Sequence, residues 1–330
     1  MAKTFKKLAV GDTVATSGTR VFKKLTTEEP TVAHTGGLYD ANDNLVASWD
    51  TLVNTYGMDV EKDYLGIGYE TDPASVYYVL TNNSELSAGT KMVVSDAVSD
   101  IGAFAFAGNA SLTSIIIPDS TRTVGYGAFF NCTNLHSITI PDSVTELGDY
   151  VFHNCTGLTS AIIGSSVPSI GYKAFAECGS LNSVIIGSGV TTIGNEAFKG
   201  CASLVEINIP DGVTSIGTEA FEDCSGLISV TLPIGITEIK DDVFRDCSSL
   251  AGIIIPEGVT SIGARAFRIC SNLTEIVIPK SVTSIGNYAF WLCNSLTDVF
   301  YEGTEEQWNA ITIGSNNECL TNAVITYNSL

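Results

Sequence analysis

Hydrophobic positions recur along this chain with a period of 23 residues, and the recurrence runs from residue 96 to residue 303. Each copy follows the pattern C-x-x-L-x-x-I-x-I-P-x-x-V-x-x-I-G-x-x-A-F-x-x, which is cleanest from Val205 to Leu227. The phenylalanine of the pattern occurs in nine copies without an insertion or deletion: Phe106, Phe129, Phe152, Phe175, Phe198, Phe221, Phe244, Phe267 and Phe290. Self-similarity at this period predicts a solenoid in which each copy forms one coil.

Each copy predicts a short strand followed by a turn. The piece L-x-x-I-x-I alternates as a strand with one buried face does, and the proline that usually follows lacks a backbone donor and ends the ladder. The remaining V-x-x-I-G-x-x-A-F predicts a loop with a short helical or 3₁₀ turn. Its glycine, for example Gly217, is expected to provide either a positive φ or close packing.

One such unit cannot bury its apolar side alone, whereas stacked units share a continuous core. We therefore predict an α/β solenoid, a leucine-rich-repeat-like right-handed coil with short strands on one face, preceded by a small mainly-β head. The predicted boundaries are residues 1–95 for an N-terminal attachment head, 96–303 for nine repeats and 304–330 for a C-terminal cap. A degenerate capping coil is predicted near residues 80–95, inside the head.

The cap and the head carry local signals of their own. The sequence Thr304-Glu305-Glu306-Gln307 is a capping box that predicts a helix containing Trp308, and a last strand is predicted near Ala323–Tyr327. In the head, echoing segments at residues 5–8 and 22–25 predict two β-segments joined through turns.

The sequence LYDANDNLVASW in the head predicts a hairpin with a polar tip, and Ser48 is the predicted N-cap of a short helix that ends at Gly57. Within the hairpin, Asp40, Asn42 and Asn44 match the first three ligand positions of a calcium loop. Leu45 and Thr51 stand where that loop needs glycine and glutamate, so a tight turn is predicted instead.

Eight cysteines occupy the same position of successive copies: Cys132, Cys155, Cys178, Cys201, Cys224, Cys247, Cys270 and Cys293. Equivalent side chains in a solenoid point the same way, whereas disulfides need converging Cβ vectors and zinc sites need clustered ligands. The pattern therefore predicts a buried ladder of unpaired thiols, each with a weak hydrogen bond to a neighbouring loop.

Composition narrows the class of partner. The formal net charge is −20, which disfavours nucleic acid and anionic membrane surfaces as partners. Residues 1–30 carry six Lys and Arg against three acids, so a basic arm precedes an acidic rod. This arm either docks on an acidic neighbour or is a solvated edge. No apolar run long enough to span a bilayer is found, and we identify no signal peptide in the sequence as given.

No catalytic constellation is apparent. The three histidines are His34, His136 and His153, and the last two fall at different positions of their copies. No nucleophile elbow, P-loop or HExxH motif occurs. Glu206, Glu275 and Asp298 share one position but lie in different copies, so a general acid–base pair is not indicated. We expect neither enzymatic activity nor a cofactor or metal.

The strand predicts a candidate recognition surface. The position between the two buried aliphatic residues is occupied by Ile116, Thr139, Ile162, Ile185, Asn208, Thr231, Ile254, Val277 and Phe300. Two residues earlier in each copy, serines give way to Glu206, Glu275 and Asp298 toward the C-terminal end. If the first position faces solvent, an apolar stripe results, and such stripes often mark binding surfaces. The alternative is that these residues satisfy strand propensity alone.

The repeat I-P-x-x-V-T-x-I-G-x-x-A-F-x-x-C-x-x-L, with the closing YEGTEEQWNAITIGSNN, resembles the BspA-type leucine-rich repeat family. The resemblance implies a surface or secreted adhesion protein that binds a protein or a glycan on a cell surface. The non-repeat head is similar to heads on repeat proteins of bacteriophages, which implies a virion component attached to its particle through residues 1–95. A secreted or cell-surface adhesin is the alternative, and an enzyme is the weakest interpretation.

Overall fold

The fold comes from a computed structural model that describes residues 99–328 without a gap and, before them, seven strands between residues 19 and 94. Residues 99–328 form a solenoid of stacked coils, as the 23-residue period predicts. Each coil contributes a strand to each of two faces of parallel strands, called here the long-strand face and the short-strand face. On each face the strands form three successive hydrogen-bonded sheets.

The long-strand face contains the predicted L-x-x-I-x-I strands, and residues 23 apart lie opposite one another along it. Ser160 pairs with Ser183, for example, and Glu275 pairs with Asp298. Its strands are Thr90–Val94, Leu112–Ile116, Ser137–Ile140, Ser160–Ile163, Ser183–Ile186, Glu206–Asn208, Ser229–Thr231, Gly252–Ile254, Glu275–Ile278, Asp298–Tyr301 and Val324–Tyr327. The first of these, Thr90–Val94, extends the stack into the segment where a degenerate coil is predicted.

The short-strand face was not predicted, because the sequence pattern assigned this part of each copy to a loop. Its strands are Asp100–Ile101, Thr123–Val124, Glu146–Leu147, Ser169–Ile170, Thr192–Ile193, Ser215–Ile216, Glu238–Ile239, Ser261–Ile262, Ser284–Ile285 and Thr312–Ile313. Each has two residues, with the apolar one turned inward, as in Ser215–Ile216. Two residues are too few to show a period along the chain, so only the pairing between coils reveals them.

The C-terminal end of the stack contains two short helices, α1 at Glu305–Asn309 and α2 at Glu318–Thr321. The predicted capping box at Thr304 and Gln307 is present, and Trp308 is buried against Tyr301 with a ring-centroid distance of 5.3 Å. Thr312–Ile313 and Val324–Tyr327 continue the two sheets in register with the preceding coil. The end of the chain therefore adds a further coil, into which α1 is inserted.

The head strands described are Thr19–Phe22, Leu25–Thr26, Gly37–Tyr39, Leu45–Ser48, Tyr64–Ile67 and Ser75–Leu80. Gly37–Tyr39 and Leu45–Ser48 pair antiparallel as the predicted hairpin. Thr19–Phe22 pairs in parallel with Thr90–Val94 and so joins the long-strand face. The helix predicted after Ser48, the polar tip of the hairpin and the segment at residues 5–8 lie outside the described residues.

The phenylalanines form the centre of the core. All nine are fully buried, and consecutive rings stack with centroids 5.0 to 5.6 Å apart. The planes of neighbouring rings differ by 3° to 21°, so the stack is nearly parallel along the whole rod. Stacked rings of this kind stabilise the fold by more than the burial of their surface area alone would.

The eight repeat cysteines lie beside this stack as buried free thiols. Each Sγ donates a hydrogen bond to the carbonyl oxygen of the phenylalanine in the preceding coil, at 3.0 to 3.3 Å. The ladder of thiols bonded to a neighbouring loop is thus confirmed. In the first coil Asn109 takes the cysteine position, and its Oδ1 accepts from the backbone of Ser111 and Leu112 instead.

The turn G-x-x-A-F-x-x is neither helix nor strand. The residues two before and two after each phenylalanine have φ between +52° and +73°, although most are not glycine. Amides within the turn alternate between two kinds of acceptor: Phe106 N donates to Ala128 of the next coil, whereas Ala107 N donates to Phe104 in its own coil. Most of these amides are thereby paired, which offsets the cost of the left-handed residues.

The glycine that recurs in the I-G-x-x-A-F part of the repeat allows close packing and does not have a positive φ. A Cβ on Gly217 would lie 2.3 Å from the backbone nitrogen of Asn195, and one on Gly286 would lie 2.4 Å from that of Ala264. Backbone cannot move aside as a flexible side chain can. Of the two predicted roles for this glycine, the structure shows the second.

Replacing Phe198 by alanine should lower the free energy of unfolding by about 3–5 kcal/mol, because a fully buried ring is lost from the middle of the stack. Denaturant unfolding followed by circular dichroism would measure the shift. Ile185→Ala, at a position 58% exposed, is the matched control and should change stability by less than about 0.5 kcal/mol. Equal losses in the two variants would contradict the stacked-core account.

Stability should fall in alkaline solution. Burial raises the pKa of Cys178, Cys224 and Cys293 to about 12. The unfolded chain loses these protons from about pH 8.5, so stability is full below that pH and declines toward pH 12, by about 1.4 kcal/mol per pH unit for each thiol. Unfolding midpoints between pH 8 and pH 11 would measure the slope. A triple variant with alanine at these three positions should show a flatter slope, and an unchanged slope would contradict the assignment.

Candidate functional site

The predicted stripe lies on the outer side of the long-strand face. Ile116, Ile185 and Ile254 are 61%, 58% and 66% exposed. Their neighbours Thr139, Ile162, Asn208 and Thr231 are also exposed, whereas Val277 and Phe300 are half-buried. Residues 23 apart pair directly within each sheet, and the sheets follow one another along the stack, so the structure brings these side chains together as a row that crosses the rod from coil to coil.

The stripe contains a depression where one side chain is missing. Gly252 occupies the position that carries serine or an acid in the other coils, between Ser229 and Glu275. The depression has a volume of about 640 Å³, and its apolar lining includes Ile254, Val277 and Phe300. Ile234, 71% exposed, stands at one side, and Glu257 and Glu275 supply carboxylates at the rim. The arrangement suits an apolar group that carries a positive charge at its edge.

Acids are not neutralised evenly around this depression. Glu275 lies directly opposite Asp298 in the sheet, which places like charges on neighbouring strands. Partial burial raises the pKa of Glu302, the proximity of Glu257 raises it further, and Lys280 opposes both effects. Glu206 lies three coils away from Glu275, so the three acids predicted as one set divide into a pair and a separate residue.

A second group of side chains lies on the outer edge of the G-x-x-A-F-x-x turns, called here the turn ridge. Two positions of each turn stack along it, the residue two before the phenylalanine and the residue one after it. In the middle coils these positions carry Lys173, Glu196, Lys199, Glu219, Glu222, Asp242, Arg245 and Arg265. None of these residues was predicted from the sequence as part of a site.

These eight residues form one ladder of ion pairs. Lys199 Nζ lies 2.6 Å from Glu219 Oε2 and 3.0 Å from Glu222 Oε2. Glu222 is fully buried and also contacts the guanidinium of Arg245. Asp242, almost fully buried, accepts from Arg265 at 2.8 Å. Buried carboxylates require such partners, so the ladder fixes the lateral register of the coils.

The N-terminal part of the turn ridge is aromatic rather than charged, and here the ridge also includes the residue three before the phenylalanine, as at Tyr126, Asp149 and Tyr172. Phe104, Tyr126, Tyr150 and Tyr172 form a run in which consecutive ring centroids are 5.2, 5.3 and 5.1 Å apart. Phe104 and Tyr126 are 39% and 44% exposed. The run joins the charge ladder at Lys173, whose Nζ lies 5.2 Å from the ring centroid of Tyr172 and 3.1 Å from Glu196.

The histidines lie apart. His136 is exposed beside the long-strand face, and His153 stacks on Phe130 on the turn ridge with a centroid distance of 5.3 Å. Burial and then Lys173 lower the pKa of His153, which is therefore neutral at pH 7. Within residues 99–328 no group of three or more potential metal ligands comes together. Among the described helices none has the length and apolar character of a membrane span.

Sequence reasoning missed the turn ridge because the turn was interpreted from its buried residues, and its outward positions were not compared between copies. Aligning the copies on phenylalanine and reading each column for alternating charge would have shown Lys199, Glu222 and Arg245 in succession. The strand stripe was found because it alternates with the buried residues.

Comparison with known proteins agrees with this architecture. Residues 84–205 and 191–316 match the profile of the BspA type leucine rich repeat region, in six copies. No curated protein matches the chain.

Three solved structures resemble the chain. A leucine-rich repeat protein from Bacteroides ovatus shares its fold, with 24% identity, a TM-score of 0.56, and coverage of 82% of this chain and 71% of that one. A leucine rich cell surface protein from Faecalibacterium prausnitzii is 27% identical over 75% of this chain and 88% of its own, with a TM-score of 0.39. A leucine rich repeat protein of T. pallidum is 24% identical over 72% and 90%, with a TM-score of 0.46.

Replacing Arg245 by leucine should destabilise the rod by about 3 kcal/mol, because Glu222 is then buried with Lys199 as its remaining cation. We place the loss at the low end of the usual range because the Arg245 side chain is 28% exposed. Denaturant unfolding measures it. Arg268→Leu is the control, since Arg268 lies over the ring of Trp291 at 4.9 Å and should contribute under about 1 kcal/mol. Equal losses would contradict the ladder.

Proposed function

Because the chain belongs to the BspA-type leucine-rich repeat family, we propose that it is a non-enzymatic binding protein whose long-strand face recognises a protein on a cell surface. The observation that carries the proposal is the row that is exposed from Ile116 to Ile254, with the depression at Gly252 that Val277 and Phe300 also line. A row of exposed aliphatic side chains beside a depression is typical of an interaction site.

The geometry of the row favours a protein partner. All of its side chains except Asn208 are β-branched or aromatic and stand on strands of the rod, so little conformational entropy is lost when they are covered. The depression at Gly252 accepts one apolar side chain, and the rim acids Glu257 and Glu275 accept a neighbouring cation. Protein interfaces often contain such an arrangement, in which an apolar pocket accepts an anchor side chain of the partner and polar residues surround the pocket.

The sequence predictions leave two alternatives for the structure that carries this rod. In one, residues 1–95 attach the rod to a phage particle, and in the other the chain is a secreted or cell-surface adhesin. Both would present the long-strand face to a cell surface, so the proposal for this face is the same under either. The gene neighbourhood distinguishes these two alternatives, since neighbouring tail or capsid genes favour the virion component and an upstream leader favours the adhesin.

Three substitutions on the row test the proposal: Ile162→Lys, Ile185→Lys and Ile254→Lys in one chain. We expect binding to immobilised bacterial envelopes and matrix proteins to fall at least tenfold, because three charges would enter the apolar contact. Surface plasmon resonance measures it.

The control triple places the same charges on the short-strand face, at Thr192→Lys, Ser215→Lys and Ser261→Lys. Its binding should equal that of the unmodified chain, and equal binding by both triples would remove the long-strand face from the account. Gly252→Phe should fill the depression and weaken binding, whereas Gly252→Ser, which restores the residue found at Ser229, should not. Melting temperatures of all variants confirm folding.

A further inference from the structure

We propose that the aromatic run of Phe104, Tyr126 and Tyr150, together with Asp149, is a second binding site, which takes a lysine or arginine side chain of a protein partner. This site lies on the turn ridge and does not rest on the proposal for the long-strand face. Core packing does not account for the run, because the stacked phenylalanines already fill the interior. The four rings lie on successive coils, and Phe104 and Tyr126 at the N-terminal end of the run are the exposed ones, whereas Tyr150 and Tyr172 are half-buried.

Asp149 gives this aromatic surface a fixed negative charge. It occupies the same position of its coil as Tyr126 and Tyr172 in the coils on either side, and it is exposed. Its Oδ1 accepts a hydrogen bond from the backbone nitrogen of Tyr172 at 2.7 Å, which holds the carboxylate over Gly171. No lysine or arginine within residues 99–328 forms an ion pair with it. The carboxylate is thus positioned but not neutralised by the described rod.

The same ridge shows what such rings bind. Lys173 Nζ lies over Tyr172 at 5.2 Å and over Tyr150 at 6.0 Å from the ring centroids. At the other end of the ridge the Arg268 guanidinium lies 4.9 Å from the ring of Trp291. Aromatic faces attract cations through their quadrupole. Phe104 and Tyr126 have no such partner among the described residues, so they are the members of the ridge left for a cation from outside.

Charge identifies the partner. The chain carries a formal net charge of −20, which repels anionic ligands and concentrates cations at its surface. A guanidinium or ammonium on a flexible stem can reach the carboxylate and lie on a ring at once. We therefore assign the site to a basic side chain of a polypeptide.

The test uses the full chain with carbon-13-labelled tyrosine, titrated at low salt with a blocked arginine–glycine pentapeptide. Tyr126 and Tyr150 ring signals should shift saturably, and the glutamate–glycine counterpart should shift neither. Tyr126→Leu should weaken binding roughly three- to fivefold, as the loss of one exposed cation–ring contact would. Asp149→Asn should weaken it similarly without loss of folding, since asparagine at the same position already bonds the next coil at Asn195.

Tyr288→Leu is the matched control, because Tyr288 is 40% exposed on the same ridge but adjoins Trp291, whose face Arg268 already covers. Its affinity for the arginine peptide should equal that of the unmodified chain. The proposal is overturned if no saturable shift appears at Tyr126 or Tyr150, if the glutamate peptide binds equally, or if Tyr288→Leu loses as much affinity as Tyr126→Leu.

Discussion

In the nine repeats of this rod a residue has, as its nearest neighbours across the stack, the residues 23 positions before and after it. The parallel in-register pairing imposes this on both faces and on the turns. Like therefore stacks on like. Inside, the constraint favours phenylalanine rings and small thiols, which pack well on copies of themselves. A single coil has no such partner, so stability is shared between neighbours rather than held within one repeat.

The same constraint decides what the surface can carry. Identical charges on adjacent coils would repel at the spacing of paired strands, about 5 Å. On the turn ridge the chain avoids this by alternation, since Lys199 and Arg245 lie on either side of Glu222. Elsewhere most outward strand positions carry neutral Ser, Thr or aliphatic residues. The exception on the long-strand face is Glu275 opposite Asp298. Because stacking disfavours two carboxylates on adjacent strands without a cation beside them, this pair is a reason to look for a basic partner at the long-strand face.

These stacking rules also explain which features the sequence alone could predict. The period determined the register, so the core phenylalanines, the thiol ladder and the outward row could be assigned before any coordinates. The capping box at Thr304 also could, because it is a local signal. The two-residue strands could not, since their pairing partners lie 23 residues away. The left-handed residues of the turn escaped as well, because they are residues such as Lys173 and Glu196 rather than glycine.

The distribution of cations connects the ridge with the proposed binding face. Lys173, Lys199, Arg245, Arg265 and Arg268 all lie on the turn ridge, where the first four neutralise acids of neighbouring coils. Cations used in this way cannot balance the acids of the long-strand face, where Lys280 is the described cation close to Glu302. The ladder of ion pairs on the turn ridge thus uses the cations, and the negative charge of the acids around the depression stays exposed. A partner that presents basic and apolar side chains together would complement this surface, because its cations neutralise the acids at the rim and its apolar side chains cover the row.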